Sequence, residues 1–215
     1  MDYPLTLAVE YPERLSRLTT FFRLIMLIPQ AIVFIFVSIA AQVILFLSWW
    51  AIWITARYPE VFLNFITWWL RWYARLSGYA YLLTDKYPPF SGREETDYPV
   101  ILGVEHPEKL SRLTTFFRFP IVPTYSFPIA SDWRFLPQSM VGMPMTIPHY
   151  IVLWFIGIAG AVILFLSWWA ILFTAKYPRV FFDFITWWFR WEMRVTGYAY
   201  LVTDKYPPFN GREQP

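Results

Sequence analysis

Residues Val43–Tyr58 (VILFLSWWAIWITARY) decide the fold, because they return almost unchanged as Val162–Tyr177 (VILFLSWWAILFTAKY). Moving outward, Pro12–Arg23 (PERLSRLTTFFR) returns as Pro107–Arg118 (PEKLSRLTTFFR), offset by 95 and identical at 11 of 12 positions. Thr84–Glu94 (TDKYPPFSGRE) returns as Thr203–Glu213 (TDKYPPFNGRE), offset by 119. Self-similarity of this kind marks a duplicated structural unit. The difference between the offsets places a 24-residue insertion in the second copy, between Arg118 and Ile147. The chain therefore divides into repeat 1 (residues 1–95) and repeat 2 (residues 96–215, with the insertion at about 119–146).

Charged residues make up 15% of the 215, apolar residues 57% and aromatics 22%, whereas soluble proteins are about one quarter charged. Residues 24–56, between Arg23 and Arg57, carry no charge, nor do residues 147–175. A membrane span needs about 20 predominantly apolar residues, so each stretch is long enough to cross. A cleaved signal peptide is excluded, since its apolar region runs about 7 to 15 residues and this one continues through Trp53 and recurs in copy two. The absence of cysteine removes disulfides, thiolate catalysis, iron–sulfur clusters and cysteine zinc sites. No basic run or aromatic-basic surface motif supports nucleic acid binding.

Within each copy, Leu5–Val9 (LTLAV) and Val100–Val104 (VILGV) are short period-2 segments bounded by turn residues, which predicts strands that pair as a small ribbon outside the bilayer. Pro12 and Glu13 suit a first helical turn, with Leu15, Leu18, Phe22 and Ile25 on one face of an interfacial helix beside Arg14 and Arg17. Pro29 is expected to end or kink it, leaving Gln30–Ala56 as the first span, with Trp49, Trp50 and Trp53 in the aromatic belt. Val61–Leu83 has enough residues for a second span, although Asn64, Trp68, Arg71, Arg75 and Gly78 form a polar stripe on it, and an interfacial position is the alternative.

One span per repeat would set near-identical basic flanks on opposite sides of the membrane, so two per repeat are expected: helices near 30–56, 61–83, 148–175 and 180–202, in two parallel repeats. In that arrangement the basic repeat ends share one side, which the positive-inside rule makes cytoplasmic, and only Arg57, Lys176 and Arg179 lie in the opposite turns. The expected fold class is an all-α integral membrane protein: a tandem repeat of helical hairpins with amphipathic interfacial helices and short strands outside the membrane at the repeat starts.

The motifs Tyr-Pro-Glu-Arg-Leu-Ser-Arg-Leu, Phe-Phe-Arg followed by Ile-Pro, the helix Phe-x-x-x-x-x-Trp-x-x-Arg, and Tyr-Pro-Pro-Phe together resemble a prokaryotic membrane family known as domain of unknown function 4389. The resemblance covers both repeats and departs from the pattern at Phe119–Thr146. It implies a protein of a prokaryotic cell membrane, often with tandem copies, and carries no activity to transfer; the four expected spans would make it multi-pass.

Arg71, Arg75, Arg190 and Arg194 are the candidate lipid or anion contacts, since guanidinium matches phosphate bidentately and stacks on indole; pairing with Asp183, Glu192 or the acidic repeat ends is the alternative. The insertion, with five prolines and only Asp132 and Arg134 charged over Pro120–Met145, must be covered by something. Its Tyr125, Phe127, Trp133, Arg134 and Phe135 are the candidate partner-docking residues, the alternative being a loop resting on its own repeat or in the headgroups. Met140, Met143, Met145 and His149 have the donor types that select Cu(I), though clustered methionines more often serve as packing. No metal is favoured, and no cofactor beyond bound lipid is expected. His106 and His149 have no counterparts in the other copy, and G-x-S-x-G, H-E-x-x-H and a phosphate loop are all missing. The sequence thus points away from an enzyme and toward a scaffold or accessory subunit of a membrane complex or homo-oligomer. A transporter or channel, and a metal- or cofactor-binding subunit of a membrane enzyme, are the alternatives.

Overall fold

A computed structural model of the chain describes residues 3–106, 109–118 and 145–213. In chain order the elements are β1 (Leu5–Val9), α1 (Arg17–Thr55), α2 (Glu60–Ala80), β2 (Val100–Val104), α3 (Arg112–Phe116), α4 (Ile147–Thr174) and α5 (Arg179–Ala199).

Helix α1 starts five residues later than Pro12 suggests. Ser16 takes the cap position, and its hydroxyl accepts the Thr19 N–H at 3.3 Å. The helix then runs through Pro29 for 39 residues, so it does not end there. Proline costs a helix interior about 3 kcal/mol. Here Leu27, Gln30 and Phe34, buried on either side of it, belong to a continuous stripe that holds both halves on the protein body. Ala56 closes the helix in the left-handed region at φ 58°, its N–H reaching Ile52 O, and Ala175 closes α4 in the same way at φ 57°.

In copy two the insertion falls where this helix is weakest. Helix α3 covers only Arg112–Phe116, and α4 begins at Ile147 with Pro148, the counterpart of Pro29, in its first turn. The same proline is internal in one copy and initiates the helix in the other, where its missing N–H has no ladder to interrupt.

Helix α2 folds back on α1 after the Tyr58-Pro59 turn. Its inner face meets α1 through two indoles: Trp69 Nε1 donates to Ser38 Oγ and Trp72 Nε1 to Gln30 Oε1, both at 3.0 Å. Its outer face is covered by the sheet and by the extended segment that follows the helix. A Cβ on Gly78 would stand 2.7 Å from Val100 Cγ2, and one on Gly92 only 1.6 Å from Trp68 O. Helix α2 is therefore sandwiched, which is why almost every residue from Trp69 to Tyr79 is buried. Helix α5 repeats the arrangement, with Gly197 against Leu5 and Gly211 against Trp187 O.

The strands are exchanged between the copies, β1 packing on α5 of copy two and β2 on α2 of copy one. They pair antiparallel with Leu7 opposite Leu102. These two leucines are counterparts, so a local twofold axis passes between them. Reciprocal hydrogen bonds follow the same axis. Leu15 N donates to Ala175 O at 2.9 Å and Leu110 N to Ala56 O at 3.1 Å. Trp49 Nε1 donates to Thr115 O at 2.7 Å and Trp168 Nε1 to Thr20 O at 3.1 Å. Tyr58 and Tyr177 donate to the carbonyls of Tyr200 and Tyr81.

Two expectations need correction. The start of α1 meets the end of α4, and the end of α1 meets α3, so the main helices of the copies run antiparallel, not parallel. Among the described residues, α1 and α4 are long and apolar enough to cross a membrane, while α2 and α5, also expected as spans, are not. Hydropathy reports how apolar a segment is, not which ends meet, and α2 owes its tryptophans and leucines to being covered by protein on both faces.

Candidate functional site

Arg23 lies on the buried stripe of α1 with 2% of its side chain exposed. Its Nη1 donates to Tyr79 O at 2.5 Å and Thr84 O at 2.8 Å, its Nη2 donates to Asp85 Oδ1 at 2.6 Å, and its guanidinium stacks over the Tyr79 ring at 4.4 Å. Leu82, left-handed at φ 66°, turns the chain out of α2 so that these carbonyls converge. Asp85 also accepts the backbone N–H of the capping residue Ser16 at 2.5 Å. One carboxylate thus joins the start of α1 to the end of α2.

Copy two rebuilds this clip between residues that flank its insertion in the sequence. Arg118 donates to Tyr198 O at 3.0 Å and Thr203 O at 2.8 Å, stacks over Tyr198 at 4.4 Å and pairs with Asp204, which also takes the Ser111 N–H. Sequence reasoning treated Arg23 and Arg118 only as basic flanks. The signal that finds them is the recurrence of Thr-Thr-Phe-Phe-Arg together with Thr-Asp-Lys-Tyr-Pro-Pro-Phe in both copies.

The four arginines expected to contact lipid or anions lie on the outer faces of α2 and α5, where the chain's own exit segments meet their donors. Arg75 donates to Ser91 O at 3.2 Å and Arg93 O at 2.6 Å, with Glu95 at 3.7 Å. Arg194 donates to Asn210 O at 3.0 Å and Arg212 O at 2.7 Å. Arg71 pairs with Glu94 at 2.7 Å, and Arg190 bonds Leu7 O at 3.0 Å and Glu213 at 2.9 Å. Pairing therefore runs to the acidic repeat ends. Asp183 instead faces Arg179, and Glu192 accepts from Tyr73 at 2.7 Å and Tyr81 at 3.2 Å.

Glu192 marks where the twofold symmetry breaks, because its counterpart in copy one is Tyr73 itself. Burial raises the Glu192 carboxyl above its ordinary value, and the two phenol donors only partly oppose this. Around it Trp69 stacks on Tyr200 at 4.5 Å and Tyr81 leans at a tilt against Trp188 at 5.2 Å, while Gln42 donates to the Tyr200 hydroxyl at 2.7 Å.

The opposite surface of the molecule has inverted polarity. On α1 the buried residues include Thr20, Arg23, Gln30, Ser38 and Ser48, whereas every exposed residue from Leu18 to Ile54 is apolar. Phe36 is 69% exposed and Ile54 64%. On α4, His149 and Ser167 face inward, and every exposed residue from Ile147 to Phe173 is again apolar. Leu113, Phe116 and Phe117 extend the same surface through α3.

The docking candidates Tyr125, Phe127, Trp133, Arg134 and Phe135 lie outside the described residues, as do Met140 and Met143. Of the remaining soft donors, Met145 Sδ accepts from the Tyr198 hydroxyl at 3.2 Å and His149 Nδ1 from Trp191 Nε1 at 3.1 Å. His149 stands where copy one has Gln30, which receives the equivalent indole bond from Trp72. Both are thus engaged in the hydrogen bonds that position helices in the other copy.

Clipped helix pairs related by a twofold axis, with an outward apolar helix layer, define a duplicated helical protein with two helices long and apolar enough to cross a membrane among the described residues. The chain belongs to the family described as Domain of unknown function (DUF4389), which it matches twice, over residues 17–92 and 143–210. The second match begins at the C-terminal end of the insertion and leaves out α3. No curated protein and no solved structure matches the chain.

Proposed function

We propose that this protein is a non-catalytic, membrane-seated scaffold or accessory subunit that contacts lipid through α1, α3 and α4. The inverted polarity of α1 and α4 carries the reading: polar side chains point into the body and an unbroken apolar surface points out, which in water would expose far more than the few hundred Å² tolerated by monomeric soluble proteins. The arginines that would line a transport path are instead bonded to the chain's own carbonyls and carboxylates, which favours the scaffold over a channel. The insertion, aromatic and almost uncharged, is the segment best suited to hold a neighbouring membrane subunit or a second copy.

Membrane fractions washed with alkaline carbonate test the seating, and mild-detergent purification tests the assembly. Retention in the washed membrane and co-purification of a stoichiometric partner or an oligomer are expected. Release into the wash, or a monomer without lipid, refutes the proposal.

A further inference from the structure

The reciprocal contacts fix how α1 lies relative to the twofold axis. Rotation about an axis preserves height along it, so Leu15 and its counterpart Leu110 share one height, and Ala56 and its counterpart Ala175 share another. Leu15 N bonds Ala175 O at 2.9 Å, and Leu110 N bonds Ala56 O at 3.1 Å. The two heights therefore coincide to within a hydrogen bond. Helix α1 rises about 1.5 Å per residue, or roughly 58 Å in all, yet it starts and finishes at the same level. The Trp49–Thr115 and Trp168–Thr20 bonds repeat the result nearer the helix centre. The main helices lie across the axis.

Two membrane placements satisfy this geometry. If the axis lies in the membrane plane, α1 and α4 cross the bilayer in opposite senses. If the axis runs along the membrane normal, both helices lie in the plane of one leaflet.

The first placement fails on the sheet. The axis passes between Leu7 and Leu102, so a two-stranded ribbon, both of whose strands are edges, would sit at the bilayer midplane. Open sheet edges facing lipid do not occur in hydrocarbon. Arg93, Glu94 and Glu95, exposed on the exit segment that crosses the middle of α2, would be carried to similar depth.

The second placement meets neither objection. The layers then follow the axis, with the sheet and exit segments in water, α2 and α5 beneath them, and the apolar layer of α1, α3 and α4 in the leaflet. The ends of that layer are basic. The Leu15–Ala175 contact brings exposed Arg14 and Arg17 beside Lys176 and Arg179, and the Leu110–Ala56 contact brings Lys109 and Arg112 beside Arg57. Glu13, Glu60 and Asp183 share these ends, so the balance is modestly positive and suits lipid phosphates at headgroup level. Repeat-end and turn arginines, which separate to opposite sides in a spanning hairpin, stand here at one level.

We infer that this chain is seated in a single leaflet, with its twofold axis along the membrane normal and α1 and α4 lying in the bilayer plane without crossing it. The inference rests on the lipid-contacting role proposed above, and the test keeps the two apart. The chain has no cysteine, so single variants Arg57→Cys, Lys86→Cys, Lys176→Cys and Lys205→Cys, each at an exposed position, can be probed with a membrane-impermeant maleimide in right-side-out and inverted vesicles from expressing cells. All four sites should label in the same vesicle orientation and resist it in the other, with the chain retained after a carbonate wash. Labelling of Arg57→Cys and Lys86→Cys from opposite faces, or of Lys86→Cys and Lys205→Cys from opposite faces, overturns the in-plane seating while leaving the lipid-contacting role intact. Labelling in both orientations with release by carbonate overturns both.

Discussion

At the residue scale the two arginine clips carry the largest local stake. Arg23 is almost wholly buried and bonds two carbonyls and one carboxylate. Removing one partner of such a buried pair costs about 3–5 kcal/mol, because Asp85 and the two carbonyls lose their charged donor. Arg23→Ala and Arg118→Ala should each lower the denaturant midpoint by a corresponding amount in detergent. Arg71→Ala, whose partner Glu94 is 79% exposed, should change it by no more than about 1 kcal/mol. Equal effects from the three variants would show that the clips do not join the helices.

Glu192 gives the fold a pH dependence of definite sign. Its folded carboxyl titrates above the ordinary range through burial, so the neutral form suits the fold. Its contribution is fully present below the pKa of the unfolded chain and is lost as pH rises through the folded value. Glu192→Gln keeps the acceptor for Tyr73 and removes the titration. The variant should flatten the fall in melting temperature as pH rises above the ordinary carboxylate range, and an unchanged profile would assign that slope to other groups.

At the element scale, the extended exits are held by close backbone approach. A Cβ on Gly92 or Gly211 would meet a tryptophan carbonyl oxygen at 1.6 Å, a contact that no side-chain rotation relieves. Gly92→Ala should release the 88–95 segment from α2 and expose it to limited proteolysis. Gly157→Ala, whose added carbon would find Trp188 at an ordinary 3.7 Å, is the control and should leave the digest unchanged. The interrupted helix offers a second test. Without residues 119–142, Arg112 and Thr174 would acquire the spacing of Arg17 and Thr55, the ends of the 39-residue α1. The shortened chain should fold with α3 and α4 fused and show a stronger helical circular dichroism signal per residue. A loss of helix would mean that the insertion is needed for copy two to form.

At the scale of the whole molecule, neither copy is complete alone, since each packs its strand on the other's second helix. A fragment of residues 1–95 lacks the β2 that covers Gly78 and the Thr115 carbonyl that receives Trp49. A second copy of the same fragment offers both, because Leu7 faces its own counterpart across the axis. The fragment should therefore assemble as a symmetric dimer with a concentration-dependent melting temperature, and a stable monomer would contradict the strand exchange.

The duplication, the insertion, the two apolar helices and the strand ribbon were legible because each depends on local pattern: repetition, the length of an uncharged run, and period-2 alternation. Local pattern also misled where packing outweighed it. Pro29 predicted an end or a kink where the helix in fact runs on, and the length of Val61–Leu83 with the matching basic flanks predicted a span where protein covers the helix on both faces. The sequence alone determined that this protein is a duplicated, mostly helical member of its family with an outward-facing apolar surface to satisfy. Only the tertiary structure decided that Arg71, Arg75, Arg190 and Arg194 bond the exits, that Arg23 and Arg118 lock the helix ends, and that the copies run antiparallel about an axis through Leu7 and Leu102. Those outcomes depend on which distant groups meet. Contacts such as Leu15–Ala175 span more of the chain than any periodicity reaches, and the cost of burying a guanidinium is met only by whatever carbonyls the finished fold brings to it.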